Sequence, residues 1–95
     1  MEITTNLDAI YDNRKSFYGK AKVKQDGDTI TFVSYGIDII SIKNGQLNPL
    51  WNGYSMTTSR HIKEFFKQFY GVEVNKKTFE KIQNKEITTI NELMQ

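Results

Sequence analysis

Chemistry in this chain would have to begin at His61, because it is the only histidine and there is no cysteine. A zinc site needs thiolates or several imidazoles, and neither supply exists here. A hydroxyl nucleophile for His61 would have to be Ser55, Ser59 or a threonine, and no motif around those residues supports the pairing. His61 therefore reads as structural or solvent-facing. Asp26 and Asp28 flank a turn glycine but lack the further oxygen ligands of a calcium loop. Gly19, Gly27, Gly36, Gly45 and Gly53 are spaced as strand and turn residues, not as a phosphate-binding loop. These residues imply neither an enzyme nor a cofactor.

Two constellations remain that could hold a macromolecule. Trp51, Tyr54 and Met56, followed by Arg60, Lys63 and Lys67, form a candidate partner-binding surface with Tyr54 as its preferred anchor. Aromatic residues and methionine are enriched at interface cores, and a loop held between a strand and a helix presents them at little ordering cost. The competing role for Trp51 is packing between helix and sheet. Arg14, Lys15, Tyr18, Lys20, Lys22 and Lys24 form the second constellation. It could track a phosphate backbone while the tyrosine stacks on a base, the mode by which sheet platforms hold single-stranded nucleic acid. No aromatic pattern of the RNA-recognition type accompanies it, and lysines on a strand face are commonly just solvated. The whole chain carries 13 Lys and Arg against 11 Asp and Glu, a net charge of +2, which excludes the dense acidity of a nucleic-acid mimic.

Positioning these residues falls to a sheet and a helix. Asp26-Gly27 and Asn44-Gly45 are two-residue hairpin signals, with Tyr35-Gly36 a third, less specific turn. They predict a four-stranded antiparallel meander, Phe17 to Gln25, Asp28 to Ser34, Ile37 to Lys43 and Gln46 to Trp51, within a sheet region spanning 16–52. Folding about Asp26-Gly27 sets Val23 opposite Ile30 and Ala21 opposite Phe32, with Lys20, Lys22 and Lys24 on the other face. Folding about Asn44-Gly45 sets Ile42 opposite Leu47 and Ile40 opposite Pro49, making the last strand an edge. The middle turn pairs Phe32 with Ile39 and so places Ile40 and Ile42 on the lysine face. A bulge near Gly36 would resolve that conflict; partial cover of the second face by another segment is the preferred reading.

Helical spacing of Ile62, Phe65, Phe66 and Phe69 predicts a main helix over 57–70, capped by Thr57 or Thr58 and ended by Gly71 with Val72 as an apolar clamp. Arg60, Lys63, Glu64 and Lys67 take the remaining helix surface. The tail, 72–95, predicts short helices: one capped by Asn75 with Phe79 and Ile82 inward, and a last one opened by the capping box Thr89-Ile90-Asn91-Glu92, expected to fray. Leu7, Ile10 and Tyr11 favour a weak helix in 1–13, against which Ile3, Thr4 and Thr5 would suit an extended arm. The fold class is thus α+β in a single domain, 1–95. Ninety-five residues suffice for one modest core. Neither a leader nor a run of about 18 apolar residues is evident, which favours a cytoplasmic protein without a membrane partner, as a monomer or weak homodimer.

Arg14-Lys15-Ser16-Phe17-Tyr18-Gly19-Lys20-Ala21, Trp51-Asn52-Gly53-Tyr54-Ser55-Met56-Thr57-Thr58 and Arg60-His61-Ile62-Lys63-Glu64-Phe65 together resemble a family of small proteins carried by phages and plasmids of low-GC Gram-positive bacteria. The resemblance covers about residues 12–70. Met56 departs from it, standing where a smaller residue, usually alanine, belongs. What the resemblance implies is a setting: the cytoplasm of an infected or plasmid-bearing host. Small proteins there often bind and disable a host protein, including CRISPR nucleases and other defence complexes.

Overall fold

The computed structural model describes residues 2–8, 10, 19–53 and 55–94. Among the described residues five strands, β1 (Glu2–Asn6), β2 (Ala21–Asp26), β3 (Thr29–Ser34), β4 (Ile37–Lys43) and β5 (Gln46–Pro49), form one antiparallel sheet in sequence order. Helices α1 (Met56–Tyr70), α2 (Lys76–Gln83) and α3 (Ile90–Leu93) follow. The fold is α+β, as expected, but the sheet has a fifth strand where a weak helix was predicted. The β-branched run Ile3-Thr4-Thr5 takes the extended form, and buried Leu7 anchors the strand by donating its N–H to Ala21 O at 2.8 Å, while residues 9 and 11–13 of the predicted weak helix lie outside the described residues.

The first hairpin turns one residue later than the Asp26-Gly27 reading. Asp26 pairs with Thr29, so the loop is Gly27-Asp28, with glycine at the first central position and φ 60°. That is the preference of a type II′ turn. Val23 consequently faces Phe32 rather than Ile30, and Ala21 faces Ser34. Both registers keep the same parity, so the assignment of faces survives the shift. The other two turns stand where expected; Asn44 and Tyr35 both adopt positive φ, 52° and 53°. Of the strand predicted over Phe17 to Gln25, Phe17 and Tyr18 lie outside the described residues, Gly19 and Lys20 form a turn, and the strand runs Ala21–Asp26.

The parity conflict is resolved by a bulge, not by cover. Phe32 pairs with Ile40 while the next residue, Val33, pairs with Asp38, leaving Ile39 as the extra residue of β4. Ile40 and Ile42 thereby turn to the side of Val23 and Phe32, and all of them lie in one core with Ile39 and Leu47.

Ser55, not Thr57 or Thr58, caps α1 by accepting from Thr58 N at 3.3 Å. Gly71 ends it at φ 67°, its N–H on Lys67 O, with Val72 N reaching Phe66 O. Ile62, Phe65 and Phe66 are buried as predicted, but Phe69 is 39% exposed and Glu64 only 2%. The Glu64 carboxylate accepts the Ile10 N–H at 3.0 Å and the Gln68 amide, so it ties the chain after β1 to the helix. Asn75 caps α2 through Thr78 N, and Phe79 and Ile82 complete the core. The terminal segment expected to fray is instead pinned along β5, with Leu47 N on Thr88 O and Ile90 N on Gly45 O, each at 2.8 Å.

Candidate partner-binding surface

A buried polar knot sits where β3 meets the start of α1. Ser34 Oγ lies 2.8 Å from His61 Nδ1 and 3.3 Å from Thr58 Oγ1, and the three residues are 1%, 0% and 6% exposed. The histidine thus pairs with a serine that sequence reasoning did not consider. The serine hydroxyl and the imidazole are sealed from solvent, and their contact satisfies polar groups at the helix–sheet junction. Its lid is Tyr35, whose ring stacks on the imidazole with centroids 5.5 Å apart and planes at 24°. The Lys20 ammonium stands 6.0 Å from the same ring.

Tyr35 holds a left-handed conformation that a bulky side chain rarely takes and that asparagine or glycine would adopt more cheaply. The residue is nonetheless 49% exposed. Ile37, across the turn, is 51% exposed; Leu50, whose N–H bonds Ile39 O, is 48%; and Met56, opening α1 two residues before Thr58, is 67%. The β3–β4 turn, the end of β5 and the start of α1 share one end of the domain. Tyr35, Ile37, Leu50 and Met56 are the exposed large apolar residues that these segments carry at that end. The individual signals were visible, a turn tyrosine and a methionine in place of a smaller residue; their convergence depends on strand order.

The loop expected to carry the site divides its residues. Trp51 packs inward, tilted against Phe79 at 6.5 Å, and the Gly53 backbone lies so close over the indole that a Cβ there would be 2.9 Å from it. Gln83 Nε2 fastens the loop through Trp51 O (2.9 Å) and Gly53 O (3.1 Å). Trp51, Ile62 and Phe79 line a cleft of 190 Å³ rimmed by Ser55, Lys76 and Glu80. Met56, Arg60, Lys63 and Lys67, at helical spacing, instead form the ridge of α1 opposite its buried stripe. Lys63 makes an exposed 3.7 Å pair with Glu73, of little energetic weight. Tyr54, the expected anchor, lies outside the described residues.

Of the basic constellation, Arg14, Lys15 and Tyr18 also lie outside the described residues. Lys22 and Lys24 do share the outer sheet face, but Lys24 pairs with Asp38 at 3.2 Å, and Lys20 belongs to the turn beside Tyr35. Thr4 and Thr31 stand across from Lys24, and Asn6 and Val33 across from Lys22, so no aromatic is paired with these two among the described residues, whereas Tyr35 adjoins Lys20. Among the described residues there is also no group of three or more His, Cys, Asp or Glu that could hold a metal ion, and no helix long and apolar enough to cross a membrane.

No curated protein and no solved structure matches the chain significantly. A family pattern does match, over residues 5–81, from within β1 to the last turn of α2. The chain therefore belongs to a family of unknown function, DUF8033.

Proposed function

We propose that this protein is a non-enzymatic accessory protein that binds a host protein and inhibits or modulates it by occlusion. The surface is the apolar end around Tyr35, Ile37, Leu50 and Met56, with Arg60 and Lys63 of the α1 ridge at its border. One observation carries the reading: Tyr35 keeps a costly left-handed backbone in order to hold an aromatic residue half in solvent, its ring stacked on His61. Strain retained at an exposed site points to function, because a less strained residue would serve the turn alone. A rigid aromatic flanked by aliphatic side chains and rimmed by cations is also the composition of an interface anchor.

The resemblance to phage- and plasmid-borne proteins makes a bacterial defence nuclease complex in the host cytoplasm the preferred target. Steric inhibition needs only about 800 Å² on each partner, within reach of a domain this size. The testing pair is wild type and Tyr35→Asn, since asparagine suits the turn conformation but removes the ring. Tyr35→Asn should fold with stability within about 1 kcal/mol of wild type. On a column loaded with host lysate it should fail to retain proteins that wild type retains. Retention of the same proteins by both would move the surface elsewhere, and recovery of nucleic acid alone, lost in a Lys20, Lys22, Lys24 triple alanine variant, would replace the reading with the basic-face one.

A further inference from the structure

The two edges of the sheet are treated differently. On β5 the outward groups are used: Leu47 N bonds Thr88 O, Gln46 bridges Thr89, and Pro49, of the same parity as Leu47, has no N–H to expose. On β1 no described segment pairs with the outer side, and all five residues, Glu2–Asn6, are exposed, Ile3 by 54%. The strand lacks proline and lysine, the usual edge guards, and carries a single charge, at Glu2.

Its open groups can be assigned. Successive strand residues direct N–H and C=O to alternate sides. Leu7 donates to Ala21 O in continuation of the β1–β2 register, so Leu7, Thr5 and Ile3 turn toward β2. Glu2, Thr4 and Asn6 turn their N–H and C=O outward.

We infer that β1 is a self-association edge, pairing antiparallel with β1 of a second copy about a two-fold axis through Thr4. In that register Thr4 meets Thr4 and Glu2 meets Asn6, so every outward N–H and C=O of the strand finds a partner. No like charges face each other. On the helix side Ile3 meets Thr5, a β-branched pair that covers the exposed isoleucine. A register centred on Ile3 or Thr5 would leave an outward residue of each strand unpaired. A second copy is therefore the occupant that fits these residues, and the two sheets become one continuous ten-stranded sheet with both Lys22–Lys24 faces on the same side. Five residues per strand make a short interface, so the dimer forms at micromolar rather than nanomolar concentration.

Sedimentation velocity of the full chain from about 1 to 500 μM tests this. Wild type should shift from monomer to dimer across the range. Thr4→Pro should stay monomeric, because it deletes an outward N–H at the two-fold axis while sparing the bonds to β2. Thr4→Glu and Thr4→Lys address the same point without a backbone change: each alone should be monomeric at low salt, and their equimolar mixture should dimerise at least tenfold more tightly than either. A wild type that remains monomeric at about 500 μM overturns the inference. So does a dimer that persists in Thr4→Glu and Thr4→Lys separately.

Discussion

Removal of the Phe65 ring is the sharpest test of how α1 sits on the sheet. The ring is fully buried, stacked on Phe32 with centroids 4.8 Å apart and planes at 18°, edge-on to Phe66 at 5.1 Å, and in contact with Phe69 at 4.9 Å. Phe65→Ala loses the transfer energy of the side chain and leaves a cavity walled by rigid rings that collapse poorly, about 4 kcal/mol in all. A domain of this length has roughly 5–14 kcal/mol of stability in total, so the variant should be close to its threshold. The melting temperature should fall by about 16–32 °C at 4–8 °C per kcal/mol. Urea unfolding followed by far-ultraviolet circular dichroism measures the loss through the midpoint, provided the slope is unchanged. A loss below about 1 kcal/mol would refute the packing, since no fully buried ring leaves so little behind.

Ser34→Ala removes the partner 2.8 Å from buried His61 and should cost about 1–3 kcal/mol by urea unfolding; a loss under about 0.5 kcal/mol would show the knot to be solvated. Gly53→Ala drives a methyl into the Trp51 indole, so the loop must shift, and Trp51 emission should move to longer wavelength with about 1–3 kcal/mol of destabilisation. The Thr88 hydroxyl, with the Thr88 N–H and Thr89 donors after it, holds the Glu92 carboxyl below its ordinary value. A lowered folded value means that its stabilisation is present above the unfolded glutamate range, about 4.3, and is lost as pH falls through the folded value. Amide-exchange protection of Leu47, whose N–H bonds Thr88 O, and of Ile90, whose N–H bonds Gly45 O, depends on the C-terminal segment staying docked and should therefore drop on acidification in that window, and Glu92→Gln should remove this pH dependence.

The sheet was legible where turn chemistry is local. Asn44-Gly45 alone set the β4–β5 register, because both positive-φ positions were named by their residues. Asp26-Gly27 misled by one residue since Gly27-Asp28 satisfies a different two-residue turn equally well. The bulge at Ile39 carries no sequence signal of its own; it arises because Ile40 and Ile42 must join the side already chosen by Val23 and Phe32. Strand β1 was missed because its five residues are all exposed and give no alternation to read. Glu64 and Ser34 owe their burial to long-range partners, the Ile10 N–H and His61, that no local pattern announces. The apolar end was hidden for the same reason: Tyr35, Ile37, Leu50 and Met56 are gathered by topology.

Hydrogen–deuterium exchange of the protein, free and in the presence of a host protein retained on the wild-type column, tests the proposed occlusion most directly. The account predicts new protection at residues 34–37, 50–53 and 55–57, with the outer-face strand segment around Lys22 and Lys24 unchanged. Protection confined to Lys22 and Lys24, with the Tyr35 turn and the start of α1 exchanging as in the free protein, would contradict it.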